Sequence, residues 1–309
     1  MAEPTKVAHV FPGQGAQAVG MGRDLYDSYP AARAVFEQAD DALGFALSSM
    51  CFEGPDDELR KTINTQPALV TVSFACLKAA QETGEGLPTP AFVAGHSLGE
   101  YTALAAAGVL DFADTVRLAR ERGRLMYEAG LKQPGTMAAI IGLDEEVLAE
   151  VCQQTDTCIA NYNCPGQLVI SGATAGVEQA VELAKEKGAS RAVPLEVSGA
   201  FHSPLMQSAV DGMAAILPTI SFRDPIMPII ANVTAQPLAT GEAVRTELLD
   251  QLRNSVQWQR SVEYMLGQGV TKVIEIGPGR VLTGLMRRIN RDVETVNIGD
   301  AEAVKALAE

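Results

Sequence analysis

The stretch "AFVAGHSLGEYTALAAAG", residues 91–108, decides the fold. "AFVA" reads as a short strand, "GHSLG" as a tight turn, and the alanine-rich remainder as a helix. A serine flanked by glycines at a strand-to-helix turn has the context of a nucleophile elbow. Gly95 and Gly99, two residues either side of Ser97, remove side chains that would collide. Ser97 then projects at the carboxyl edge of a sheet, and the N–H of Leu98 points to where an oxyanion would form. A capping serine in a glycine-rich turn is the plainer alternative, and the strand–turn–helix context weighs against it.

Outward from the elbow, strand and helix alternate. "KVAHVF" at 6–11 predicts a strand, helical periodicity runs through 23–43, and a long helix falls near 66–82. "DFADTVRLARERGRLMYEAG" (111–130) opens on aspartates and closes on a glycine, as a capped helix does. Such alternation implies a mostly parallel sheet with helices on its faces. The middle differs: "GTMAAIIGL", "DEEVLAEVCQQ", "TCIANY", "GQLVISGA", "TAGVEQAVELAKEKG" and "ASRAVPLEV" give β-α-β-β-α-β over 135–197, the ferredoxin-like order. The α/β pattern then resumes with "MPIIANVT", "TKVIEIGPGRVLTGLMRRI" and "VNIGD". The expected architecture is α/β: a large, discontinuous α/β-hydrolase-like domain (1–131 and 199–309) carrying an inserted ferredoxin-like subdomain (132–198). The junction between them is the natural place for a cleft.

Composition narrows the function. The 309 residues carry a net charge of −14, which argues against nucleic acid or an anionic membrane as main partner. There is no apolar run of membrane-spanning length. The first ten residues, with Glu3, Pro4 and Lys6, lack the apolar segment of a leader. Five cysteines without CxxC spacing and three unclustered histidines predict a reduced, cytoplasmic protein without a metal site, expected to be a monomer.

A serine nucleophile needs a base. His9 lies inside a predicted strand and reads as a packed core residue. His96 adjoins Ser97 but leaves the backbone on the other side. That favours His202, in "SGAFHSPLM" (198–206) just after the inserted unit. Three functional classes compete. A hydrolase or thioesterase on small acyl esters would place its histidine late in the chain and carry an HGGG-type loop, and neither is seen. A dinucleotide-binding module is suggested by "GQGAQA" at 13–18, yet no acidic-ended strand follows about 20 residues later; the region Arg33 to Asp41 reads as helix. An acyl transferase through a serine ester is the third.

The motifs "FPGQGAQ" (11–17), "GHSLGEYTAL" (95–104), "RGRLM" (122–126), "GAFHSPLM" (199–206) and "NSVQWQRSVEYM" (254–265) together resemble the malonyl-CoA:acyl carrier protein transacylases. These are acyltransferases of fatty acid synthesis, with relatives in polyketide synthases, and the resemblance runs from Phe11 to about Arg288. It implies the inserted ferredoxin-like unit, a malonyl-Ser97 ester, and His202 as base, steadied by the carbonyl of Gln257 rather than by a carboxylate. It implies that Arg122 pairs with the malonyl carboxylate, although a helix also bearing Arg117, Arg120 and Arg124 would otherwise read as a solvated face. By the same resemblance Gln14 lines the acyl pocket, its N–H joining that of Leu98 in an oxyanion hole. Phe201 and Leu98 favour malonyl over methylmalonyl, a different polyketide extender unit being the alternative. Asn161 and Asn163 correspond to asparagines near the cleft, with turn asparagines before Pro165 an equal alternative. The resemblance also implies a coenzyme A thioester as substrate, with no bound cofactor or metal expected. It implies an acidic acyl carrier protein as partner, for which Arg287, Arg288 and Arg291, near Lys272 and Arg280, would offer a basic patch. A solvated helix face is the competing account of that patch.

Overall fold

The computed structural model describes residues 5–84 and 86–307; Glu3 and Pro4 lie outside them. Ten strands are present among the described residues. In chain order they are β1 (Lys6–Phe11), β2 (Phe92–Gly95), β3 (Gly135–Ile141), β4 (Thr157–Cys164), β5 (Gln167–Ala173), β6 (Arg191–Pro194), β7 (Ile229–Ile230), β8 (Pro237–Leu238), β9 (Val270–Ile276) and β10 (Glu294–Ile298). They form a six-stranded sheet of order β10-β9-β1-β2-β7-β8 and a four-stranded sheet of order β4-β5-β3-β6. The larger is parallel except for the β7–β8 hairpin, and the smaller is antiparallel throughout.

The register of β1 against β2 positions the site. Phe11 pairs with Gly95 at the carboxyl ends of these adjacent parallel strands. The loops that follow, Pro12–Gln14 and His96–Ser97, therefore leave the same edge side by side. Ligands of open α/β sheets bind at such an edge.

Two 21-residue helices, Thr62–Glu82 and Phe112–Lys132, pack against one another beside this sheet. The first is buried on nearly every face, as a helix apolar all round must be. It starts a turn earlier than its periodicity predicts. Pro67 resembles a helix-start proline, yet it lies inside, where its missing N–H leaves the Ile63 carbonyl without an intrahelical donor. Arg120 Nη1 supplies one at 2.8 Å.

Two predicted strands are shorter than expected. "MPIIANVT" yields only β7, because the chain turns back at once: Ala231 N–H donates to Gln236 O at 3.0 Å, and Ala235 has φ 55°. "ASRAVPLEV" yields β6 alone, ended by Pro194, which has no N–H for the ladder. The residues that leave the strand, Leu195 to Val197, turn into the cleft instead.

Candidate active site

Ser97 has φ 50°, a left-handed conformation that costs a non-glycine residue about 1–3 kcal/mol. Backbone packing enforces it. A Cβ on Gly95 would lie 1.9 Å from the Gly99 carbonyl carbon, and one on Gly99 would lie 2.1 Å from Phe11 O. A Cβ on Gly13 would meet His96 O at 2.4 Å. The glycines of "FPGQG" and "GHSLG" thus let two loops touch main chain to main chain. That contact, rather than a phosphate cradle, accounts for the Gly13 motif.

His202, with φ 55°, faces the serine across the cleft. Its Nε2 lies 2.7 Å from Ser97 Oγ and its Nδ1 lies 2.7 Å from the carbonyl of Gln251. A carbonyl only accepts, so Nδ1 carries the proton and Nε2 presents a lone pair to the serine hydroxyl. Burial, and then the Arg122 charge, push the imidazole pKa down to about 3. His202 is therefore neutral and able to accept a proton at ordinary pH.

The expected tether, Gln257, does not occupy this position. Its N–H donates to Asn232 O, its carbonyl accepts from Ser261 N–H, and its side chain accepts from Arg260. Gln257 initiates the Trp258–Gly267 helix, and that role consumes its main chain. Gln251, the residue that caps the C-terminus of the Gly241–Asp250 helix, supplies the carbonyl instead. No motif in the sequence distinguished these two glutamines by position.

Arg122 is 1% exposed, unlike Arg117 and Arg124, which form surface ion pairs. Its Nη1 donates to Gln66 Oε1 (2.8 Å), and its Nη2 to Gln251 Oε1 (2.7 Å) and Ser97 Oγ (3.2 Å). Its Nε–H has no acceptor. Among the described residues no carboxylate lies within ion-pair distance of it. A buried cation surrounded by neutral amides is costly unless an anion joins it.

These groups line a cavity of about 510 Å³. Gln14, Ser97, Leu98, Arg122, Asn161, Phe201 and His202 all border it. Asn161 Oδ1 is buried there without a partner. Asn163 is set back, its Oδ1 accepting from His96 Nε2–H at 2.8 Å, so that this nitrogen is engaged away from the serine hydroxyl. His9 is buried in β1, its pKa lowered to about 4 by burial. The sequence reading missed Gln66, Asn232 and Gln251, whose amides fix the arginine and the elbow. It also missed Met126 and Met137, which add apolar wall. Among the described residues no group of three or more His, Cys, Asp or Glu could hold a metal, and no helix is long and apolar enough to cross a membrane. All five cysteines are free.

An elbow serine, a neutral imidazole and a buried arginine in one cleft are the parts of a serine acyl-transfer centre, and the family model of the acyl transferase domain matches residues 8–304. The chain is 46% identical over 306 residues to the malonyl CoA-acyl carrier protein transacylase of Bacillus subtilis (strain 168), covering 97% of this chain and 96% of that one. An acyl-carrier-protein-S-malonyltransferase from Bartonella henselae superposes with a TM-score of 0.94 at 47% identity, with 98% of each chain covered. The malonyl-transacylase solved in complex with a type II PKS acyl-carrier protein gives 0.95 at 42% identity, covering 98% of this chain and 99% of that one. The chain belongs to the malonyl CoA-acyl carrier protein transacylase family of acyl transferases.

Proposed function

We propose that this enzyme transfers the malonyl group from malonyl-CoA to the phosphopantetheine thiol of an acyl carrier protein through an ester on Ser97. Ser97 Oγ attacks the thioester carbonyl while its proton passes to His202 Nε2. The tetrahedral intermediate collapses, and the departing coenzyme A sulfur takes that proton. The carrier thiol then gives its proton to His202 and attacks the Ser97 ester, and Ser97 Oγ leaves with the proton. The N–H groups of Leu98 and Gln14, neither of which has an acceptor among the described residues, hold the oxyanion.

The observation that carries this reading is Arg122, a buried guanidinium at the cavity wall with Nε–H free and, among the described residues, no carboxylate within ion-pair distance. A malonyl carboxylate is the anion it lacks. Phe201, 5% exposed and bordering the same cavity, fills space that an α-methyl group would need. Asn161, with its free Oδ1, faces the thioester arm, whereas Asn163 supports His96.

The sheet order β4-β5-β3-β6 supports reading 132–198 as a ferredoxin-like insertion in an α/β-hydrolase-like domain made of 1–131 and 199–309. The carrier docks beside Arg287, Arg288 and Arg291, all exposed and without an ion-pair partner among the described residues. The enzyme works as a monomer in the cytoplasm, with no bound cofactor or metal.

Intact mass after incubation with malonyl-CoA tests the reading. A malonyl adduct, absent from Ser97→Ala and released by a carrier thiol, is the expected result. Turnover to free malonate without an acceptor would establish a hydrolase instead. Comparable adduct from methylmalonyl-CoA would remove the size argument based on Phe201.

A further inference from the structure

Glu100 lies one residue past the elbow, fully buried and away from the cavity lining, yet two chains of hydrogen bonds from the reacting residues, through Asn232 and through Gln251, end on it. One carboxyl oxygen accepts from Asn232 N–H at 3.0 Å, and the other accepts from Gln251 Nε2 at 2.5 Å. Asn232 clips the elbow with its side chain: Oδ1 accepts from Ser97 N–H (2.7 Å) and Nδ2 donates to Gly95 O (2.8 Å). Gln251 does more. Its Nε2 also donates to Ser97 O (2.9 Å), its Oε1 accepts from Arg122 Nη2 (2.7 Å), and its carbonyl accepts from His202 Nδ1–H (2.7 Å).

The orientation of the Gln251 amide follows from its neighbours. Arginine can only donate, so Oε1 must face it, and both N–H bonds must then find acceptors. Ser97 O and Glu100 are those acceptors. A flipped amide would set two donors against each other at Arg122 and free the residue whose main chain aims His202.

We propose that Glu100 is the positioning residue of this centre, acting through Gln251 and Asn232 to aim the nucleophile, the base and the arginine together; this rests on the Ser97–His202 chemistry proposed above. Hydrolases of the Ser-His-Asp kind set a carboxylate against the histidine itself. Here the carboxyl group is one residue removed and orients a neutral amide, whose own carbonyl meets the histidine.

Glu100→Gln tests this, because it keeps size while replacing one acceptor oxygen with a donor. Rapid-quench intact mass should show acylation of Ser97 by malonyl-CoA slowed roughly 10- to 100-fold, the effect of a displaced reacting group. The proton NMR signal of His202 Nδ1–H should shift or broaden. In a Gln251→Ala background the same substitution should cost clearly less than in the wild type, the remainder passing through Asn232, since neighbours acting in one network are not additive. If Glu100→Gln does not fold, Glu100→Asp, which keeps both oxygens but loses reach, should move the same resonance. Wild-type acylation with an unchanged Nδ1–H signal would overturn the proposal, as would a lowered melting temperature alone or a full penalty in the Gln251→Ala background. Wild-type protein that formed no adduct would defeat the Ser97 reading instead, leaving the resonance to decide the role of Glu100.

Discussion

His202 Nδ1 lies 2.7 Å from the main-chain carbonyl of Gln251, so the base is oriented by a neutral acceptor with no carboxylate to stabilise its protonated form. Burial and the Arg122 charge both disfavour the imidazolium, and together they lower the pKa from 6.5 to about 3. The neutral, reactive form therefore persists well below the usual histidine range. The acid limb of the acylation rate should fall far below pH 6.5, as measured by rapid quench between about pH 4 and pH 8. An apparent pKa close to 6.5 would contradict the geometry. The same shift has a stability consequence. The unfolded chain takes up a proton at His202 below 6.5 and the folded chain does not, so this contribution is present above pH 6.5 and is lost as pH falls toward 3.

Arg122→Ala should cut kcat/KM for malonyl-CoA by roughly a hundredfold or more, the loss of one or two charge-assisted hydrogen bonds of about 1.5–3 kcal/mol each. Acetyl-CoA should fall less or improve, because the buried cation that penalises a neutral acyl group is gone. Arg122→Lys should not restore malonyl transfer, since an ammonium cannot hold Gln66, Gln251 and a carboxylate with one planar fork. The ratio of the two kcat/KM values checks this, and a ratio equal to wild type would remove Arg122 from acyl recognition.

Ser97 and His202 were legible because each has a local signature: a glycine-framed turn, and the scarcity of histidine. Arg122 was legible only through family resemblance, because three other arginines on its helix masked the burial of one. The succession of strands and helices, and a mostly parallel larger sheet, followed from alternating patterns that the chain keeps over many residues. Gln251 was not legible, and its neighbour in sequence, Gln257, was read in its place. A main-chain carbonyl leaves no mark on residue type, and which carbonyl faces His202 depends on how the Gly241–Asp250 helix ends. Asn232 escaped for a related reason. It lies at the turn that truncates β7, where the sequence reads as a continuing strand.

Gly95→Ala should cost roughly 3 kcal/mol or more, the upper range for overpacking. The added methyl would fall 1.9 Å from the Gly99 carbonyl carbon, which is backbone and cannot turn aside as a side chain would. Gly188→Ala has no atom within 4 Å of its new Cβ, although its φ of 102° carries strain of its own, so it serves as a control for backbone strain without collision. Chemical denaturation of both variants separates the terms. Gly95 has no left-handed φ, so its loss is collision alone, and a loss no larger than that of Gly188→Ala would show that the elbow accommodates the methyl group.

Arg287 and Arg288 close the last turn of the Val281–Ile289 helix, where positive charge also complements the helix dipole. Arg288 is partly committed already, donating to Gln167 Oε1 at 2.7 Å and bracing the β4–β5 turn. Among the described residues Arg287 makes no such contact, so it is the freer of the two to meet an acidic surface. Arg287→Glu should therefore raise KM for the acyl carrier protein roughly tenfold at low ionic strength, and less at high salt as screening removes the attraction. Acylation of Ser97 by malonyl-CoA, which involves no carrier, should keep its wild-type rate. Arg288→Glu should add a stability loss that Arg287→Glu lacks, because it breaks the brace on β4–β5. Initial rates against carrier concentration at two salt concentrations, with melting temperatures for both variants, give the comparison. A carrier KM unchanged by Arg287→Glu at low salt would move the docking surface elsewhere on the molecule.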